Sequence, residues 1–146
     1  MSKVDRAVEL FETFNCAQAV FTACGPYPGL SEQMCLTLTG PFGGGMGAMG
    51  ETCGAVTGAF LVLGARHGQA MATDPAQARG PLYKRVGAFA EAFRERHGSL
   101  SCRELTGCDF RTPAGQADSK ARDLHHTLCQ HLVASAVELL EEPESR

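Results

Sequence analysis

The sequence lacks the patterns that would assign it to several common classes. No run of basic residues is present that could follow a phosphate backbone, and the formal charge is −3. No apolar stretch approaches the roughly 18 residues of a membrane span, and the segment 55–65 is short and contains glycines. We therefore expect a protein that binds no nucleic acid and does not insert into a membrane.

Signatures of targeting and of several enzyme classes are also missing. The first residues lack the continuous apolar segment of a signal peptide, so we expect a cytoplasmic protein. The glycine run is not followed by the Gly-Lys-Ser or Gly-Lys-Thr of a phosphate loop, and no Ser-His-Asp order or paired-carboxylate pattern is present. Hydrolase and nucleotide-binding functions are not indicated, whereas an oxidoreductase or electron-transfer activity stays open.

Cysteine is abundant in this chain of 146 residues. In a reducing cytoplasm, a high cysteine count indicates metal binding or thiol chemistry rather than structural disulfides. No two cysteines form a CxxC pair, so neither a zinc knuckle nor a thioredoxin-type pair is available locally. Any shared site must be assembled by the fold from the seven cysteines, which are Cys16, Cys24, Cys35, Cys53, Cys102, Cys108 and Cys129.

Apolar residues repeat at steps of three and four, with no alternating strand pattern. They predict an all-α, single-domain bundle of five or six helices over residues 1–146, with a frayed tail at 143–146. A helix with a possible bend at Asn15 is expected first, and Ser31 is a candidate cap for the next. The predicted helices cover about 3–24, 32–39, 51–67, 75–98, 102–107 and 121–142.

A glycine-rich loop over residues 40–50 leads into Cys53 and the central helix that follows it. Such a loop can approach another group closely and present backbone N–H groups to it, or it can be a flexible turn. Gly54 and Gly58 lie four residues apart and therefore share a helix face. They indicate either a helix-packing groove or a surface for a cofactor.

Residues 53–58, Cys-Gly-Ala-Val-Thr-Gly, resemble the CGAxxG motif of the C_GCAxxG_C_C family, a group of small redox-active proteins with four characteristic cysteines. The similarity extends over nearly the whole chain. Asn15-Cys16-Ala17-Gln18 is similar to the first cysteine segment, Ser101-Cys102-Arg103-Glu104 to the third, and Cys129 to the fourth.

The resemblance implies a redox protein whose site contains Cys16, Cys53, Cys102 and Cys129, with Gly54 and Gly58 beside it. A similar domain resembles the cluster-binding part of the split-Soret cytochromes, which implies an iron-sulfur cluster, with zinc as the alternative metal. Haem is not expected, since CxxCH is missing. Family genes often lie near transporter genes, which implies a functional link to a transporter. The physiological redox partner is not identified, and a homodimer is plausible.

Chemistry at the cysteines leaves three functions open. Helix N-termini favour thiolates, so Cys53 and Cys102, placed in first turns, are candidate ligands or redox-active thiols. The functions are electron transfer or redox sensing with a bound cluster, metal-free thiol-disulfide exchange, and a structural or partner-binding helical module. His125 or His126 could share a helix face with Cys129, which would give a mixed site. Cys24, Cys35 and Cys108 are expected to be secondary.

Overall fold

The computed structural model describes residues 1–143, and this part of the chain is all-α, as predicted. It contains no β-strand, and its extended pairings are two isolated bridges. Eight α-helices are present where five or six were expected. They are α1 Lys3–Phe11, α2 Cys16–Ala23, α3 Glu32–Thr39, α4 Gly54–His67, α5 Pro75–His97, α6 Cys102–Thr106, α7 Pro113–Ala121 and α8 Gln130–Glu141. Of the tail predicted to fray, residues 144–146 lie outside the described residues.

The first predicted helix is in fact two helices, because Asn15 interrupts it. Asn15 has extended backbone angles, and its Oδ1 accepts the Gln18 N–H at 3.0 Å. The Gln18 Oε1 in turn accepts the Asn15 N–H at 2.9 Å. This reciprocal pair is a capping box, which satisfies two helix-terminal donors at once. As a result α1 ends at Phe11, and α2 begins at Cys16.

The prediction of one continuous helix over residues 121–142 is wrong for residues 121–129. Asp123 has a left-handed φ of 48°, so α7 stops at Ala121, and a π-helix over His125–Cys129 then leads into α8. Helix α7 was not predicted. Its start has a recognisable signal, since the Thr112 Oγ1 accepts the Gly115 N–H at 3.0 Å and Pro113 occupies the first helical position.

Other predicted boundaries agree with the structure. The Ser31 hydroxyl accepts the Met34 N–H at 3.1 Å and so caps α3. Helix α4 ends at His67, as predicted, and Gly68 follows it. Gly98 and Gly107 close α5 and α6 with φ values of 89° and 70°, a left-handed conformation that glycine adopts without a Cβ penalty.

Helix α4 lies at the centre of the fold and contacts α2, α5 and α8. Its residues from Gly54 to Ala59 are all buried. A Cβ at Gly58 would lie 2.9 Å from the Ala17 carbonyl oxygen and 3.1 Å from the Val20 Cβ, so glycine allows α2 and α4 to pack closely. Nowhere in residues 1–143 is a helix both long enough and apolar enough to cross a bilayer.

Candidate functional site

Four cysteines from separate parts of the chain line one cavity of about 230 Å³, which we call the cysteine cavity. They are Cys16, Cys53, Cys102 and Cys129. Most of the other lining is apolar, from Phe11, Leu105, Phe110 and Leu132, and Gly44 and Gly54 also reach it. Gly58 was predicted to lie beside a cofactor, but it does not line the cavity. It lies instead where α2 and α4 pack closely.

Three of these cysteines stand at helix starts. Cys53 is the N-cap residue of α4 and Cys102 is the first residue of α6, as expected. Cys16 was predicted inside a long helix, but the break at Asn15 makes it the first residue of α2. Helix N-termini carry partial positive charge and unpaired N–H groups. The starts of these three helices therefore direct partial positive charge toward the cavity.

A short backbone pairing fixes Cys53 next to Cys102. The Cys53 N–H donates to the Leu100 carbonyl at 2.7 Å, and the Cys102 N–H donates to the Glu51 carbonyl at 2.6 Å. These bonds surround the isolated bridge between Thr52 and Ser101. Two cysteines far apart in sequence are thus held together by their own main chain.

The glycine-rich loop reaches the cavity at Gly44 and is held by defined hydrogen bonds. The Gly50 N–H donates to the Gly44 carbonyl at 3.1 Å, and the Glu51 N–H donates to the Gly45 carbonyl at 2.9 Å. Gly45 has a φ of 70°, and a Cβ there would lie 2.6 Å from the Cys102 Cβ. A larger residue would therefore collide with a cavity-lining cysteine.

Backbone N–H groups of Gly44, in this loop, and of Gly54, at the start of α4, reach the Cys16 sulfur. Hydrogen bonds from Gly44 and Gly54 lower the pKa of this thiol, although burial, the largest cause, raises it overall. At Gly54 an added Cβ would overlap the Cys16 Sγ. Glycine at position 54 therefore lets the start of α4 approach this sulfur closely.

Asn15 joins the start of α2 to the glycine-rich loop. Its Nδ2 donates to the Gly40 carbonyl at 2.9 Å, in addition to the capping box with Gln18. We expect Asn15→Ala to reduce the free energy of unfolding by about 1 kcal/mol, since a helix cap is lost. If the cavity holds the metal group that the sequence resemblance implies, Asn15→Ala should also reduce its loading, because Cys16 begins the same helix.

Chemical denaturation and metal analysis of Asn15→Ala check this prediction. Ser31→Ala is the matched control, because it removes the cap of α3, which the cavity does not use. Both variants should be destabilised to a similar extent, but Ser31→Ala should load normally. Equal loading of the two variants would contradict a role of Asn15 at the cavity.

The cysteine sulfurs are more widely spread than the ligands of a single tetrahedral ion. Thiolates on one zinc ion lie about 3.8 Å apart, as follows from a Zn–S distance of about 2.3 Å. Within residues 1–143, no three cysteine sulfurs all lie within 4.8 Å of one another. In the described part of the chain, the four sulfurs are therefore not gathered as closely as the ligands of one zinc ion would be.

Burial makes the metal-free thiols weaker acids than an exposed cysteine. It raises the pKa of Cys102 to about 11 and that of Cys129 to about 12, and nearby cysteines add to both shifts. Burial also raises the pKa of Cys53, against hydrogen bonds from Ala55 and Val56 at the start of α4. The expectation that helix starts would favour thiolates is therefore wrong for the metal-free state. In this state, the loss of hydration raises the thiol pKa by more than the helix N-terminus lowers it.

Stability of the reduced, metal-free protein should consequently fall in alkaline solution. Below the ordinary thiol pKa of 9.0, folded and unfolded chains are both protonated at Cys102 and Cys129. Between that value and the folded values of about 11 and about 12, the unfolded chain binds fewer protons, so the free energy of unfolding declines.

Urea denaturation at about pH 8 and about pH 10.5 measures this decline. A Cys102→Ala, Cys129→Ala double variant should lose less stability between the two pH values than the natural sequence does. Equal losses of stability in the two proteins would show that burial does not raise the pKa of these thiols.

The three remaining cysteines are buried but do not line the cavity. Cys24 and Cys35 belong to the hydrophobic core. Cys108 donates its S–H to the Asp118 carboxylate at 3.2 Å. All three therefore lie outside the candidate site, and their secondary role stays a prediction.

Several lining residues were not singled out from the sequence. Among them are Phe11, Leu105 and Phe110, whose apolar character is equally typical of a core. Of the histidines considered beside Cys129, His125 lines the cavity, whereas His126 does not. No periodicity distinguishes a cavity wall from ordinary packing, so only the assembled fold identifies these side chains.

Together, the helical fold and its cavity define an all-α protein with four cysteines at one site. The family profile described as "Putative redox-active protein (C_GCAxxG_C_C)" matches residues 14–143. The chain therefore belongs to this family, as its motifs indicated. No match was found among curated proteins or among solved structures.

Proposed function

We propose that the protein is an electron-transfer or redox-sensing protein that binds an iron-sulfur cluster through Cys16, Cys53, Cys102 and Cys129. The observation that carries the proposal is the convergence of these four cysteines on one largely apolar cavity. Four thiolates are the usual ligand set of such clusters. When bound, the cluster would supply one-electron transfer.

The cavity wall supports this assignment by its electrostatics. The starts of α2 and α4 and the N–H groups of Gly44 and Gly54 place partial positive charge beside the sulfurs. Hydrogen bonds to sulfur and offset negative charge raise the reduction potential of a cluster. Phe11, Leu105 and Leu132 would limit the access of water to it.

Zinc is the weaker alternative because of the sulfur spacing given above. A mononuclear site would require all four sulfurs to move toward one point, whereas a cluster bridges a wider gap with its own atoms. The metal-free alternative is weaker as well. Thiol-disulfide exchange begins with a thiolate, and the pKa values of about 11 for Cys102 and about 12 for Cys129 keep these thiols protonated near neutral pH.

Anaerobic purification followed by iron, zinc and acid-labile sulfide analysis tests the proposal. We expect iron and sulfide in equal amounts and a visible absorption that reduction bleaches. Colourless protein without iron, even after anaerobic reconstitution with iron and sulfide, would overturn the proposal. Paired loss of titratable thiols on mild oxidation of that protein would favour disulfide chemistry instead. An unchanged number of titratable thiols would favour the remaining alternative, a structural or partner-binding helical module.

The proposed setting is the reducing cytoplasm, where exposed cysteine-bound clusters are best preserved. The electron partner would be another redox protein or a small redox-active molecule. A functional link to a transporter and assembly as a homodimer remain part of the proposal. Sedimentation of the loaded protein would decide between monomer and dimer.

A further inference from the structure

A second group of potential metal ligands lies at the rim of the cysteine cavity. Glu12 follows the end of α1, and its Oε1 is 3.3 Å from the His126 Nε2 and 3.7 Å from the His125 Nε2. One ligand atom from each of the three side chains lies within 4.8 Å of the others. We call these residues, Glu12, His125 and His126, the rim cluster.

Neighbouring side chains orient both imidazole rings. The His126 Nδ1 lies 3.0 Å from the Asp123 Oδ1. A carboxylate at this nitrogen favours the tautomer whose Nε2 carries a free lone pair, an arrangement common in histidines that bind metals. The His125 ring stacks on Phe11, with centroids 4.1 Å apart and an interplanar angle of 3°. Each ring is therefore held by a contact that leaves Nε2 directed at Glu12.

The spacing also fits a transition-metal ion. Nitrogen and oxygen ligands about 2.0–2.2 Å from an ion lie about 3 to 3.5 Å from one another. The two distances to the Glu12 Oε1, 3.3 Å and 3.7 Å, are close to this range. The carboxylates of Glu12 and Asp123 would offset the charge of a dication, and the exposed side chains allow it to enter from solvent.

We propose that Glu12, His125 and His126 bind a divalent transition-metal ion of the zinc or nickel class at a site separate from the four cysteines. Three protein ligands leave room for water in the remaining positions. Bound there, the ion connects the end of α1 to the π-helix that precedes α8. Because His125 and Phe11 also line the cysteine cavity, the ion stiffens that part of the cavity wall.

Nickel(II) binding to the reduced, iron-free protein at pH 8 tests the proposal. Calorimetry should give a site whose affinity falls at least tenfold in Glu12→Gln and in His126→Gln. His131→Gln is the matched control, since His131 is exposed on α8 and lies outside the rim cluster. Nickel should also raise the unfolding temperature of the natural sequence and of His131→Gln, but not that of the other two variants.

Charge-transfer absorption separates this site from the cysteines, since thiolate-bound nickel absorbs strongly in the near ultraviolet. The rim-cluster ion should bind without this absorption and should be retained in Cys102→Ser. Equal affinity in the natural sequence, Glu12→Gln and His126→Gln would overturn the proposal. Nickel binding that is lost only in Cys102→Ser would overturn it too. Circular dichroism of each variant verifies that the helices are intact.

Discussion

Cys102→Ser should lower the iron and sulfide bound per chain at least tenfold. The hydroxyl of serine is a much poorer ligand for iron than a thiolate, and the remaining three cysteines would leave one position of the cluster without its sulfur. The fold should survive, because the backbone bond from residue 102 to the Glu51 carbonyl is retained. Iron and sulfide analysis after anaerobic reconstitution measures the effect, and circular dichroism reports the fold.

Cys108→Ser is the matched control for this prediction. Cys108 lies six positions after Cys102, is also buried and does not line the cavity. Its partner is the Asp118 carboxylate, to which a serine hydroxyl can also donate. We expect this variant to bind iron normally. Loss of iron in Cys108→Ser together with retention in Cys102→Ser would refute the assignment of the four ligands.

Gly54→Ala should impair both stability and cluster binding. An added Cβ would overlap the Cys16 Sγ and lie 3.0 Å from the Phe42 carbonyl oxygen, so α2 and α4 must separate or the sulfur must move. Overpacking of this kind typically costs about 1–3 kcal/mol. We expect the bound iron to fall by more than half, because the displaced sulfur belongs to a proposed ligand.

Gly64→Ala controls for the change of glycine to alanine in the same helix. A Cβ at Gly64 meets nothing within 4 Å, and alanine is the better helix former. This variant should be as stable as the natural sequence or more so, with normal iron content. Chemical denaturation and iron analysis of the two variants provide the comparison. Normal iron content in Gly54→Ala would show that the close approach to Cys16 is unimportant.

Local signals in the sequence predicted much of the fold. The cap of α3 at Ser31 and the end of α4 at residue 67 were predicted correctly, because caps and closing residues act within one or two helical turns. The break at Asn15 was missed because apolar periodicity continues across it. The spacing of Asn15 and Gln18 matches a capping box and was an available signal.

The π-helix before α8 was harder to foresee. Apolar residues recur on both sides of Asp123, so the pattern resembles one continuous helix, and the left-handed φ of this residue has no clear mark in the sequence. Tertiary packing decides such irregular turns. This segment carries Cys129 and the two histidines of the rim cluster, so an error here affects the site directly.

The candidate site was predictable in its cysteines but not in its environment. Motif positions singled out Cys16, Cys53, Cys102 and Cys129. Their meeting at one cavity depends on how α2, α4, α6 and the π-helix before α8 pack together. The direction of the pKa shifts was also beyond local reasoning. A helix start alone favours a thiolate, but the burial that reverses the effect arises only when the surrounding helices assemble.

X-ray absorption at the iron edge of anaerobically loaded protein tests the central claim most directly. The account predicts iron surrounded by sulfur with a second iron as a near neighbour, and the loss of both signals in Cys102→Ser. Iron bound mainly by nitrogen or oxygen, or a single iron without an iron neighbour, would contradict a cluster held by the four cysteines.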